Sequence, residues 1–275
     1  MNVSPFDRRG FSFARAARAF AFLLTIVILL AQIAPLIVVI LVSVSNSPVF
    51  EVTFGDWSLR WWERLGRTAG FWNATLFSLQ LAFASTIAAL ILGTLAAIAI
   101  HGERFPGAAL LSTILLSPLM LPGIVLGIAV SQAYRLYGLT DPLSALLTSH
   151  VIVALPFVVR IMLSSLALFD FTMLDAARTL GRSYLGALWF VALPNLRPAL
   201  VTSAVFGFLA SFDNYPISIF LVTSKTKTLP IQMLEFLEES PNPTIAAVSA
   251  LTLALTAILL LILHRATGID RAMAR

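Results

Sequence analysis

The chain has 275 residues, of which 59% are apolar and only 11% charged, and its mean hydropathy is +0.94. Soluble domains carry about 25% charged residues, so this composition excludes a soluble enzyme and a disordered tail. The net charge of +5 lies between long apolar runs rather than in a patch, which excludes a nucleic-acid-binding protein, and the lack of Cys excludes disulfides and thiolate metal sites.

An integral membrane protein is left, and its spans can be read in order. A helix crossing about 30 Å of hydrocarbon needs ~20 mostly apolar residues. Residues 20–44 form the first such run, interrupted by Gln32, Pro35 and Ser43 and preceded by Arg8, Arg9, Arg15 and Arg18. It exceeds the ~7–15 residues of a signal-peptide apolar region, so a retained anchor is expected. Residues 1–19 are then a basic cytoplasmic segment, and residues 20–275 a single transmembrane domain. The second span is expected within 71–100, followed by a turn at 101–107, and the third over 108–133. Pro118 and Pro122 fall inside that third run and should kink or break it, either as a packing feature or as a wall of a pathway. The remaining spans are expected over 143–168, 198–222 and 244–264, with a polar stretch at 169–197.

Six spans put both termini on one side. With the N-terminus inside, the cytoplasmic segments hold Arg8, Arg9, Arg15, Arg18, Arg104, Arg178, Arg182, Arg197, Arg265, Arg271 and Arg275. The external loops hold Arg60, Arg64, Arg67, Arg135, Lys225 and Lys227. The excess favours N-in and C-in by the positive-inside rule. Trp57, Trp61, Trp62 and Trp72 cluster before the second span, as interfacial anchors do.

No chemistry of a membrane enzyme is written in the chain. A P-loop needs a lysine after glycine, and the only lysines are Lys225 and Lys227, neither so placed. The three histidines, His101, His150 and His264, are expected at three different span ends, where a structural role is the ordinary one.

The most informative segment is the polar stretch 169–197. Asp175, Ala176 and Ala177 are followed by Gly181 and, after nine residues, by Val191, Leu193 and Pro194. Asp175 early in a helix favours its positive dipole end. Ala177 and Gly181, four apart, are expected on one small-residue helical face open to a partner, and Pro194 is expected to end the second short helix. The pattern resembles the EAA loop of permease subunits of bacterial ABC importers. Further segments at 116–123, 155–160, 211–221, 228–230 and 243–248 resemble the spermidine/putrescine permease branch.

The resemblance implies an all-α fold of six transmembrane helices in the bacterial inner membrane, the type I importer permease fold, and no catalysis in this chain. It further implies an ABC ATPase dimer that holds ATP and Mg, so that this chain carries no cofactor. A second homologous permease chain, expected to form a heterodimer, and a periplasmic substrate-binding protein complete the complex. The residues it assigns to ATPase coupling are Asp175, Ala176, Ala177, Gly181, Leu193 and Pro194. A polyamine is the expected solute, with an aminophosphonate or amino-acid-like solute as the alternative.

Asp213 is the one carboxylate inside an expected span, and a buried ionisable group marks a pathway or a specific partner. With Asn214 and Tyr215 it either offers a charge and an aromatic face to a cationic amine or bonds free backbone near Pro216. Arg160 is expected to reach the cytoplasmic interface. Gly123 and Gly127 form a small-xxx-small pattern suited to close helix packing. The rival of another class, an ion-coupled transporter or channel subunit, has only Asp213 and Arg160 with which to couple an ion.

Overall fold

The computed structural model describes residues 6–102 and 106–267, with side chains over 17–101 and 106–265. The side chains of Arg8, Arg9 and Arg15, and Arg104, Arg271 and Arg275 altogether, lie outside the described residues. What is described is helical apart from loops and one isolated bridge, Ser45 with Trp57. In chain order the helices are α1 (Phe6–Ser43), α2 (Arg60–Arg67), α3 (Ala69–Gly102), α4 (Ala108–Leu116), α5 (Gly123–Leu136), α6 (Pro142–Ala167) and α7 (Thr172–Thr179). They continue with α8 (Tyr184–Ala187), α9 (Leu193–Asn195), α10 (Arg197–Phe212), α11 (Tyr215–Ser218), α12 (Leu229–Glu239) and α13 (Thr244–Thr267).

Among the described residues, four stretches are long and apolar enough to cross a membrane: Ala17–Ser43, Ala69–His101, Pro142–Ala167 and Thr244–Arg265. Two bent pairs bring the number to six if each pair is one span. Ala108–Met120 meets Gly123–Leu136 at 111°, and Tyr184–Asn195 meets Arg197–Phe212 at 71°. The third run is broken, as its two prolines predict, and the fifth, expected to be continuous over 198–222, is interrupted after Phe212, while the 71° bend lies before it. In the third, Ser117–Met120 tightens to a 3-10 turn and Leu121 is extended (φ −93°, ψ 139°), as the residue before Pro122 must be. In the fifth, α10 stops at Phe212, the residue whose carbonyl the ring of Pro216 would strike in a continued helix.

Pro194 does not end the second short helix as expected. The chain is helical from Tyr184 through a π-helical turn at Leu188–Ala192 and on to Asn195. The ring of Pro194 clashes with the carbonyl four residues back in a regular helix, and the widened turn removes that clash. The bend falls after Asn195, at Leu196, which caps α10, with Pro198 in the first turn of that helix.

The contacts divide the described residues into two compact units, one within 6–67 and 241–251 and the other within 68–102, 106–240 and 252–267. In the first, Ser45 organises the loop after α1. Its carbonyl accepts from Trp61 Nε1 at 2.9 Å, and its Oγ accepts from the amides of Ser47 and Thr53. Trp61 is thus a buried packing residue, 5% exposed, and not the interfacial anchor expected. Trp57 is half exposed, as is Trp72 of the second unit.

The second unit is built on α3, α6 and α10. Ala89, Gly93 and Ala97 make one small-residue face of α3, and a Cβ on Gly93 would lie 2.8 Å from Val158 of α6. That close approach replaces hydrophobic burial as the packing principle between helices in lipid. One buried cluster runs from Ala154, Val158, Met162 and Leu166 of α6 to Leu174 of α7, Ala187, Ala192 and Ala199. Asp141 caps α6 by accepting from the amides of Leu143 and Ser144. The Ser144 bonds hold its carboxyl below the usual carboxylate range.

Candidate functional site: the loop before α10 and the break after it

The stretch 169–197 folds as a compact knuckle. Asp170 accepts from the side chain and the amide of Thr172, which opens α7 and lowers the Asp170 carboxyl below its ordinary value. Leu174 is the anchor, 3% exposed within the core cluster, with half-buried Ala177 packed on the same cluster. His101 at the end of α3 stacks on Phe171 at 5.1 Å. The opposite face of α7 is open, with Asp175, Ala176, Arg178 and Thr179 exposed. The Asp175–Arg178 pair, 3.5 Å apart and largely exposed, adds little stability.

Gly181 does not share a helical face with Ala177. It lies beyond the end of α7 at φ +88°, with the Arg182 amide bonded to Ala177 O and the Gly181 amide to Arg178 O. This pair of bonds is a Schellman stop, which requires a left-handed residue and so favours glycine. A Cβ there would meet nothing within 4 Å, so the constraint is on conformation and not on space. Leu180, 86% exposed beside Gly181, is a prominent apolar knob that sequence reasoning did not single out. Leu193 and Pro194 are half-buried and lie away from the open face, at the bend into α10.

At the other end of α10 the helix breaks. Asp213 is its C-terminal cap residue and is exposed, and among the described residues its carboxylate accepts no hydrogen bond. Asn214, not Asp213, tends the free backbone. Its Oδ1 accepts from Ile217 N at 3.2 Å, and its Nδ2 donates to Ala210 O at 3.3 Å. Tyr215 starts the short helix α11 and is half-buried.

Two neighbours grip α11. A Cβ on Gly123 would lie 3.0 Å from Pro216, and one on Gly127 would lie 3.0 Å from Ile217 Cα and 2.8 Å from Phe220. The small-xxx-small pair of α5 therefore packs on α11. On the other side stands His150. Contrary to the expected place at a span end, its ring is 1% exposed within α6. It bonds Ser211 at 2.7 Å through Nδ1 and Ser218 at 3.1 Å through Nε2. Ser85 of α3 bonds Ser211 at 2.9 Å.

The clefts differ in character. One of about 650 Å³, lined by Leu90, Leu95, Leu185, Trp189 and Leu200, is apolar and unsuited to a charged solute. Arg160 faces a smaller one with Ser164, Pro198 and Thr202. A third, of about 480 Å³, opens where Tyr134, Arg135 and Asp141 meet Phe220 and Thr223.

Residues 89–275 match the family described as binding-protein-dependent transport system inner membrane component. The chain belongs to that family. It is a multi-pass membrane permease of the ABC importer class, which works with an ATPase and a binding protein and is not itself an enzyme. The matched region holds both the α7 knuckle and the break at Asp213. The permease is 29% identical to the spermidine/putrescine transport system permease protein PotC of Escherichia coli (strain K12), over 82% of this chain and 85% of that one. It is 28% identical to the putrescine transport system permease protein PotI of the same strain, over 80% of each chain. In fold it resembles a chain of a bacterial ABC transporter involved in the import of the acidic polysaccharide alginate. The TM-score is 0.69 at 18% identity, over 96% of this chain and 99% of that one.

Proposed function

We propose that this permease is one of two chains that import a polyamine, spermidine or putrescine, across the bacterial inner membrane at the expense of ATP. The observation that carries the reading is the likeness to PotC and PotI over about four-fifths of the chain. With each bent pair counted as one span there are six, and the excess of basic residues then supports an orientation with both termini in the cytoplasm. In that orientation the α7 knuckle is cytoplasmic and the break at Asp213 lies towards the outer face.

The chemistry of the break suits a cationic amine. Asp213 follows the 16 residues of α10, so it lies ~24 Å along the helix axis from the cytoplasmic end at 1.5 Å per residue. Its carboxylate is unclaimed by the backbone because Asn214 makes those bonds. A polyamine released by the binding protein meets this charge, with the Tyr215 ring nearby for a cation–π contact.

At the cytoplasmic end, Asp175, Ala176 and the turn at Gly181 form the surface that enters a cleft of the ATPase dimer, which holds ATP and Mg. Ala177 fixes that surface to the core, and Leu193 and Pro194 carry its movement through the bend into α10. ATPase closure thereby moves α7, Leu174 and the α6–α10 core as one body. The second permease chain is a homologue rather than an identical copy.

Uptake of labelled spermidine and putrescine, beside aminoethylphosphonate and an amino-acid panel, tests the substrate in source cells with and without the gene. Selective loss of polyamine uptake is expected. Unchanged polyamine uptake with loss of another solute would remove the polyamine and leave the permease.

A further inference from the structure

The hydroxyls around His150 fix where its proton sits. Ser218 Oγ has one hydrogen and gives it to the carbonyl of Asn214. Toward His150 Nε2, 3.1 Å away, Ser218 can then only accept, so Nε2 carries the ring proton. In the neutral ring Nδ1 is the acceptor, and Ser211 donates to it at 2.7 Å. Ser211 in turn accepts from Ser85 at 2.9 Å. The result is a directed chain from α3 to the break: Ser85 to Ser211, Ser211 to His150, His150 to Ser218, Ser218 to the Asn214 carbonyl. Ser85, Ser211, Ser218 and His150 are each 1% exposed or less. In the hydrocarbon depth an unmade bond of this kind is costly, so the links from Ser211 to the Asn214 carbonyl have one arrangement, while Ser85 shares its single hydrogen between Ser211 and the Ala82 carbonyl, 3.2 Å away.

Its end point is the backbone that bears Asp213. Asn214 is the N-cap residue of α11, so the bond from Ser218 to its carbonyl ties the first turn of that helix to its start, and the residue before it carries the unclaimed carboxylate. Gly123 and Gly127 press α11 from one side, and His150 holds it from the other. We propose that His150 is a positioning residue for translocation: through Ser218 it fixes the broken segment 213–218 and thereby the place of the Asp213 carboxylate on the solute's path. The inference rests on the reading of Asp213 as the polyamine contact.

His150 has two arms, and two amides replace them one at a time. Asn reaches only as far as Nδ1 and keeps a partner for Ser211, whereas Gln reaches as far as Nε2 and keeps the bond to Ser218. Transport of labelled putrescine into proteoliposomes holding the complete complex and its binding protein would be measured for His150→Asn, His150→Gln, Ser218→Ala and Asp213→Asn.

His150→Asn and Ser218→Ala are expected to raise KM about tenfold with Vmax within about twofold, as loss of one orienting hydrogen bond would. His150→Gln is expected to keep KM within about threefold of the parent. Asp213→Asn is expected to lose most uptake. Loss in Asp213→Asn with an unaltered KM in His150→Asn and Ser218→Ala would overturn the positioning role while sparing the contact. Equal falls in Vmax and inserted protein for both His150 variants, at constant KM, would make His150 a packing residue and also overturn it. Unchanged uptake in Asp213→Asn would overturn the contact, and the positioning role with it.

Discussion

Asp213 and His150 were unequally visible before folding. Asp213 stands out because it is a lone carboxylate in an apolar run, and in the structure it is exposed and accepts no hydrogen bond among the described residues. His150 was assigned to a span end because hydropathy alone marks where a span begins, and it begins only a few residues earlier. Its partners are serines 61 and 68 residues away, and a serine in a membrane helix carries no distinguishing pattern. Gly123 and Gly127 were legible as a close-packing pair, but not their partner, since α11 exists only because α10 breaks. Gly127→Leu tests that packing at the level of one residue. The added side chain meets Phe220 and the Ile217 backbone, and overpacking of this kind costs about 1–3 kcal/mol. A lowered thermal midpoint in detergent and reduced uptake are expected. An unchanged midpoint would show that α5 does not press on α11.

Elements were read well where a long apolar run is enough, and the proline break expected in the third run is present, whereas the effects of Pro194, Pro198 and Pro216 were not legible. The helices α1, α3, α6 and α13 fall where hydropathy put spans. Of the two remaining runs, the third bends by 111° where Pro122 forces its predecessor to extend, and the fifth is interrupted where α10 stops at Phe212, while the 71° bend precedes it, between Asn195 and Arg197. The π-helical turn before Pro194 and the helix α12 were not foreseen. Gly181 was found by its spacing, yet its reason is the left-handed stop of α7 and not a small face. The difference is testable. A β-branched residue at φ +88° is strained by roughly 1–2 kcal/mol, whereas Asn tolerates that region. Gly181→Val is expected to insert normally but to lose co-purification with the ATPase, while Gly181→Asn keeps it. Retention of the ATPase by Gly181→Val would contradict a conformational role, and loss by both would mean that the docking surface touches Gly181 directly.

Across the whole molecule, an apolar fraction of 59% with 11% charge was enough to announce a membrane protein, and the spacing from Asp175 to Pro194 its family. The way the α7 knuckle is tied to the membrane helices, by Leu174 in the α6–α10 cluster and by His101 stacked on Phe171, could not be read from spacing. It depends on which buried faces meet. Orientation can be checked directly, because the chain has no Cys and a single introduced one reports its own side. Arg182→Cys should react with an impermeant reagent only from the cytoplasmic side, and Lys225→Cys only from outside. The opposite pattern would invert the topology and move Asp213 to the inner half.

The most direct measurement of the central claim is accumulation of labelled spermidine in proteoliposomes that contain the two permease chains and the ATPase, with the binding protein supplied on the outer side. Accumulation is expected only with ATP and Mg inside and only with the binding protein present. Accumulation that follows an ion gradient and ignores ATP would contradict the account.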